Sequence, residues 1–318
     1  MNGNNKIATV FGGTGFVGRQ VVRELAQRGF IVKVATRVPE SAYFLKPHGV
    51  VGQIVPFACN YKDEKSIKGA VAGADYVVNC IGILYERKKG DFARMHADIP
   101  AMIAGVCKKQ KVKRLVHISI PNIEKDTSRY ARTKLEGEKS ILKVFPKASI
   151  LRPSIVFGPD DNFFNKFAEL IRFLPVLPLI GGGRTKFQPV YVGDVADAVM
   201  ACLTGGEGVC GKVYELGGPE IVTFRQIYEI LFSYTGRKRP FIVVPWAIAK
   251  IQAFFMGLFP NPLLTCDQVE SLKTDYIVSE KAQGFEDLGV QPKAMGLILP
   301  RYLKHYRAGG RFAGAKCA

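Results

Sequence analysis

A phenol and an ammonium four residues apart, with a hydroxyl shortly upstream, form a set that can move a proton, and Tyr130, Lys134 and Ser119 have those types and that spacing. On a helix, positions i and i+4 share a face, so the Lys134 ammonium stands beside the Tyr130 phenol. A neighbouring positive charge favours the phenolate and lowers a pKa that is ordinarily about 10. Tyr130 then passes a proton to or from a substrate oxygen, and Ser119 holds that oxygen in place. Spacing alone selects little, because Tyr61/Lys65, Tyr85/Lys89 and Tyr234/Lys238 repeat it. What distinguishes Tyr130 is its position. Ser119 ends a strand-like run, Arg114 to Ser119, and a helix-like run, Ser128 to Val144, follows.

The element that opens the chain can supply the other reactant. Lys6 to Gly18, KIATVFGGTGFVG, reads as a strand that breaks at Gly12 into a glycine-rich turn, with a helix over Arg19 to Arg28. Gly12 makes the tight turn, Gly15 lets a pyrophosphate approach bare backbone, and Gly18 lets helix pack closely on sheet. The phosphate then sits on the first amides of the helix. A second strand, Ile31 to Thr36, ends at Arg37, where an NAD-specific fold places an acid on the ribose hydroxyl. An arginine there meets a 2′-phosphate and stacks on adenine. NADP(H) is therefore the expected cofactor. Proton transfer by Tyr130 would accompany hydride movement at its nicotinamide, with Lys134 also holding the nicotinamide ribose.

Further strands are expected at Gly52 to Ala58, Ala74 to Cys80, Arg114 to Ser119 and Ala148 to Leu151, with helices over Ser66 to Val71, Phe92 to Gln110 and Ser128 to Val144. Cys80 and Gly82, small residues where the fourth strand ends, let a dinucleotide pass close to the backbone. The alternation predicts an α/β fold, a Rossmann-type doubly wound parallel sheet. Beyond Arg152-Pro153 the rhythm changes. Residues 1–160 are expected to form the NADP(H)-binding domain, with 188–204 returning to the same sheet. Residues 161–187 and 205–318 are expected to form a smaller C-terminal α+β domain. Ile242 to Phe259 is the most apolar stretch, but Pro245, Lys250, Gln252 and Gly257 interrupt it. It falls short of the ~20 apolar residues of a membrane span. It reads either as an amphipathic helix on a membrane or partner, or as core of the second domain.

Composition narrows the classes. A chain of 318 residues that is 47% hydrophobic and 23% charged suits one large or two joined domains, not a disordered segment. The cysteines Cys59, Cys80, Cys107, Cys202, Cys210, Cys266 and Cys317 are odd in number and never form C-x-x-C. That favours a reducing compartment without disulfides or structural zinc. The four histidines lie far apart, so no metal site is expected. Met1 to Asn5 reads as no secretory signal. The net charge of +18 is spread along the chain, with clusters at Lys108 to Arg114, at Arg237 to Arg239 and from Arg301 onward. No nucleic-acid-binding motif accompanies them, which leaves an ordinary solvated surface, an anionic membrane surface or an acidic partner.

The elbow at Lys6 to Gly18, the Ser119/Tyr130/Lys134 set and Leu151-Arg152-Pro153-Ser154 resemble the extended and atypical short-chain dehydrogenase/reductase superfamily, over residues 6–220. A narrower resemblance spans nearly the whole chain. SRYARTKLEGE (Ser128 to Glu138), FGPDDNFFNKFA (Phe157 to Ala168), QPVYVGDVADAV (Gln188 to Val199), LTCDQVESLKTD (Leu264 to Asp275) and FEDLGVQP (Phe285 to Pro292) are similar to the nucleotide-binding accessory subunits of respiratory complex I and their bacterial relatives. That resemblance implies a tightly held NADPH, a place near the quinone site beside other complex I subunits, and a structural role. It implies the mitochondrial matrix side or the cytoplasmic side of a bacterial inner membrane. It also implies cofactor contacts from Gly12, Thr14, Gly15, Phe16 and Val17 at the phosphates and Arg37 at the 2′-phosphate. Cys80 and Gly82 would lie along the dinucleotide, and Tyr130 and Lys134 at the nicotinamide ribose. Asn60 stands where many superfamily members place an aspartate against adenine, and its amide can hydrogen-bond in its stead. The intact Ser119/Tyr130/Lys134 set equally fits an NADP(H)-dependent reductase or epimerase with Tyr130 as acid/base on an unidentified carbonyl.

Overall fold

The computed structural model describes residues 6–259, 262–307 and 309, so Cys317 and the tail cations Arg311 and Lys316 lie outside the described residues. Short runs rich in valine, isoleucine and alanine form the strands. In chain order these are β1 (Ile7–Phe11), β2 (Ile31–Thr36), β3 (Ile54–Ala58), β4 (Tyr76–Asn79), β5 (Arg114–Ile118) and β6 (Ser149–Pro153). Then come β7 (Val156–Phe157), β8 (Leu177–Ile180), β9 (Lys186–Phe187), β10 (Val190–Tyr191), β11 (Val213–Leu216), β12 (Val222–Thr223) and β13 (Phe241–Val244). Seven of them make one parallel sheet in the order β11-β6-β5-β4-β1-β2-β3. Parallel neighbours need crossovers that cover both faces of a sheet. Helices α1 (Phe16–Gln27), α2 (Glu64–Val71), α3 (Asp91–Ala93), α4 (Ile99–Lys109) and α5 (Arg129–Val144) lie on them. The strand order reverses between β1 and β4, and a crevice opens beyond the carboxyl ends of strands at such a point. The Gly12 turn and the exit of β4 meet there.

The helix expected over Phe92 to Gln110 is interrupted. A π-helical turn, Arg94–Asp98, separates α3 from α4. Pro100, in the first turn of α4, has no amide to give the His96 carbonyl four residues back, so the regular ladder slips there. Gly137 of α5 packs against that carbonyl so closely that a Cβ would collide with it.

The domain expectation needs two corrections. The strand at 190–191 does not return to the main sheet; β10 pairs only with β7. Its helix, α7 (Val192–Thr204), does return and packs against α1 and beneath β5 and β6. Conversely β11, expected in the second domain, is the seventh strand of the main sheet, because the buried run VYEL pairs with β6. Phe285 and Leu288 join the same core.

A second core gathers Phe157, Phe164, Phe187, Phe224 and Tyr228 with residues of α6 (Phe164–Phe173), α8 (Phe224–Thr235) and, further on, Met295–Leu303. Its rings meet edge to face, Phe163 with Phe167 at 4.9 Å and Phe167 with Phe224 at 5.2 Å. Beyond β13 run α9 (Trp246–Met256), α10 (Cys266–Ser271) and α11 (Met295–Leu303). Only Ala249 and Ala253 of α9 are buried. Ile251, Phe254 and Phe255 are 59%, 62% and 60% exposed, and Ile242 and Val243 of β13 are exposed with them. The stretch is divided: Val244, Ala249 and Ala253 form a small core with Val269, with Trp246 packed against it, while its larger apolar side chains face outward. Among the described residues no helix is long and apolar enough to cross a membrane.

Candidate nucleotide-binding site

Three glycines shape the turn that leaves β1. Gly12 has φ +72°, and a Cβ there would stand 2.9 Å from the Cys80 carbonyl, so the turn can press against the exit of β4. A Cβ on Gly18 would collide with the Gly12 carbonyl, which is how α1 starts so close to the turn. Gly15 is the N-cap, and its amide donates to the Gly12 carbonyl at 3.0 Å. No side chain caps α1 and no acid lies in its first turn. Its leading amides and the positive end of its dipole thus suit an anion, and the bare backbone suits a pyrophosphate. Thr14, Phe16 and Val17 are half-buried around this point.

At the other end of the turn, Arg37 is exposed directly after β2 and Asn60 is exposed after β3. The Asn60 Oδ1 accepts from the Lys62 amide at 3.1 Å, and the Asn60 amide donates to Ser66 Oγ at 2.9 Å, which fixes the loop. Between them stands Tyr61, which was not expected here. Its hydroxyl donates to the Ala35 carbonyl at 2.7 Å. Burial pushes its pKa up to about 12, while the Gly12 amide and the Arg37 guanidinium pull it down. Tyr61 had shown only as one of the recurring Tyr-x-x-x-Lys pairs. Its place after β3 was the available signal. Arg19, one turn into α1, lies over the Phe44 ring at 5.5 Å and pairs with Asp160 at 3.2 Å.

The third part lies where β4 and β5 end. Asn79 Oδ1 accepts from the Ile81 amide at 3.0 Å, and Asn79 Nδ2 donates to His117 Nδ1 at 3.1 Å, which holds the Cys80–Gly82 segment in place. With Nδ1 accepting, the His117 proton is on Nε2. That atom and Ser119 Oγ are buried without partners. The Lys134 ammonium donates to the Ile118 carbonyl at 3.0 Å and stands beside Gly82, where a Cβ would be 3.5 Å away. Burial pulls Lys134 down to about 8, against Glu138 and Cys80, which raise it. Burial lifts the Cys80 thiol to about 12.

His96 Nε2 accepts from the Ile83 amide at 3.2 Å, and its Nδ1 meets Thr133 Oγ1 at 3.1 Å. Burial, then the Lys134 charge, depress it to about 3. The Tyr130 ring stands edge-on to Phe92 at 5.8 Å and to His96 at 5.1 Å. Lys134 reaches the end of β5 through the Ile118 carbonyl, next to Ser119, whereas the Tyr130 ring packs on Phe92 and His96 one turn earlier on α5. One expectation fails. Tyr130 is pushed up rather than down, by burial first and then by the Asp126 and Asp267 carboxylates, and Lys134 does not reverse this.

A doubly wound sheet, a glycine turn at its switch point and a Ser/Tyr/Lys set beside it define a dinucleotide-binding protein of the dehydrogenase and epimerase type. The chain belongs to the NAD dependent epimerase/dehydratase family, whose model matches residues 8–217. Its likeness to particular proteins reaches further along the chain. It is 37% identical to NADH dehydrogenase (ubiquinone) 1 alpha subcomplex subunit 9, mitochondrial, of Arabidopsis thaliana, over 96% of this chain and 79% of the relative. It is 36% identical to the protein of that name in Mus musculus, over 95% and 80%. Among solved structures, the NADPH-dependent quinone oxidoreductase of Escherichia coli complexed with NADPH superposes with a TM-score of 0.72 at 19% identity, covering 94% of this chain and 99% of the other.

Proposed function

We propose that this chain is an NADPH-binding accessory subunit of NADH:ubiquinone oxidoreductase and that it holds its nucleotide for a structural purpose. The observation that carries the reading is the extent of the likeness. The family match ends at residue 217, yet identity to the complex I subunits continues through the second core to cover 96% of the chain. Gly12, Thr14, Gly15, Phe16, Val17 and Gly18 would hold the phosphates, Arg37 the 2′-phosphate with Tyr61 behind it, and Asn60 the adenine. Cys80 and Gly82 would flank the dinucleotide, with Tyr130 and Lys134 at the nicotinamide ribose. When bound, NADPH supplies a hydride. The upward push on Tyr130 supports a holding role for that phenol rather than proton transfer.

An exposed apolar face supports a reading of where the subunit sits. From Arg237 to Cys266 the chain carries Arg237, Lys238, Arg239 and Lys250 and no carboxylate, and the exposed Ile251, Phe254 and Phe255 lie in that stretch. Apolar residues with cations suit an anionic bilayer surface. This supports a seat beside the membrane and near the quinone site, on the mitochondrial matrix side or its bacterial equivalent. Ligand that binds only the folded state stabilises it by about 2.7 kcal/mol at a hundredfold excess over Kd. NADPH should therefore raise the melting temperature, and NADH should raise it less. Identical melts with and without NADPH would overturn the proposal.

A second reading, an NADP(H)-dependent reductase or epimerase, draws on the unpartnered Ser119 Oγ and on Lys134 poised near 8. It requires turnover with a carbonyl substrate that Tyr130→Phe abolishes while nucleotide binding persists.

A further inference from the structure

The first turn of α5 carries Tyr130 and, one turn on, Lys134. Its amides at Arg129, Tyr130 and Ala131 have no partner inside the helix. Ser128 Oγ takes the Ala131 amide at 3.0 Å. The other two go to a residue more than a hundred positions away. The Arg129 amide donates to Asp267 Oδ1 at 2.8 Å and the Tyr130 amide to Asp267 Oδ2 at 3.1 Å. One carboxylate of α10 thus closes the helix end that carries the nucleotide-site residues, where it also meets the positive end of the α5 dipole.

The same segment fastens the loop between β5 and α5 at further points. Tyr276 donates its hydroxyl to Asp126 Oδ2 at 3.2 Å, and Asn122 Nδ2 donates to the carbonyls of Asp275 at 2.8 Å and Ile277 at 2.7 Å. Glu270 of α10 accepts from Thr127 of that loop at 3.3 Å and also pairs with Lys250 of the apolar helix α9 at 2.8 Å. The short helix α10 therefore bridges the helix of Tyr130 and Lys134 to the exposed apolar face.

We propose that Asp267 is a positioning residue of the nucleotide site, fixing the first turn of α5 so that nucleotide binding and seating of α10 strengthen each other. The proposal rests on the nucleotide-binding reading above. Coupling of this kind is reciprocal, so NADPH bound in the sheet crevice must also steady α10 and α9, which lie outside that crevice.

The test is made on the full chain in two parts. Hydrogen exchange of the wild type is followed over Trp246–Met256 and Cys266–Ser271 with and without NADPH. NADPH affinity is then measured by its fluorescence for wild type, Asp267→Ala and Asp267→Asn. The expected results are slower exchange in both helices on adding NADPH and an affinity weakened several-fold in Asp267→Ala, up to about 30-fold if the whole stability cost of the missing cap falls on the nucleotide-bound form. Asp267→Asn, which keeps one acceptor oxygen, should recover part of it. Unchanged exchange in α10, or an Asp267→Ala protein that melts lower yet binds NADPH as tightly as wild type, overturns the proposal while leaving the nucleotide reading intact. If Asp267→Ala does not fold, the wild-type exchange decides alone. A wild type that binds no NADPH refutes the underlying reading and the proposal with it.

Discussion

Replacing Arg152 should be among the most destabilising single changes outside the glycine turn. Its guanidinium, at the end of β6, makes a two-pronged pair with Glu138 of α5, Nε to Oε1 at 3.0 Å and Nη2 to Oε2 at 2.7 Å. It also reaches Glu124 at 2.8 Å and Glu215 of β11 at 3.5 Å. The side chains of Glu138 and Glu215 are 3% and 7% exposed, whereas that of Glu124 is 58% exposed. Arg152→Met would leave two carboxylates buried without a counter-charge. Breaking a buried pair in this way costs about 3–5 kcal/mol, and the exposed Glu124 adds little. At about 2.1 cal/mol/K per residue, a chain of 318 residues then loses about 4–7 °C in melting temperature. The assay is a thermal melt at fixed nucleotide concentration, with Arg152→Met/Glu138→Gln as the companion. Removing one stranded carboxylate should return part of the loss. A single mutant melting within about 2 °C of wild type would refute the reasoning, since it would mean that the cluster is solvated or rearranges without cost.

Gly12→Ala should lose NADPH-dependent stabilisation altogether, because the substitution meets both a positive φ and a Cβ contact of 2.9 Å with the Cys80 carbonyl; an NADPH-induced rise in melting temperature equal to wild type would contradict it. Acidification should destabilise the protein through its buried histidines. Folded His96 titrates near 3 and His117 well below its ordinary value, so below about pH 6.5 the unfolded chain takes up protons that the folded one refuses. Stability then falls with decreasing pH at about 1.4 kcal/mol per unit for each, a slope that His117→Asn should roughly halve in denaturant melts between pH 6.5 and 5. Phe254→Asp with Phe255→Asp should abolish flotation with anionic vesicles while leaving the melting temperature within about 2 °C, because both rings are already exposed; flotation equal to wild type would remove the membrane-facing role.

The sheet and its nucleotide elbow were legible because their signals are local. Apolar runs such as IVKVAT and glycines at fixed spacing dictate backbone conformation wherever they occur. The placement of Ser119 after β5 and of Tyr130 and Lys134 on α5 was legible for the same reason. What escaped depends on distant partners. That β11 joins the main sheet is decided by the vacant edge of β6, which a four-residue run cannot announce. The π-helical turn needed Pro100 to be set against a facing Gly137. Tyr61 looked like a chance pairing with Lys65 until β2 and the Gly12 turn were placed around it. The direction of the Tyr130 shift escapes the sequence because burial of the phenol comes first and the Asp126 and Asp267 carboxylates second, and i/i+4 spacing announces neither.

The most direct test of the central claim is a native gel of gently solubilised membranes from the source organism, probed for this chain and stained for NADH dehydrogenase activity. The chain should migrate with the active complex. Migration as a free monomer or small oligomer, away from that activity, would contradict it.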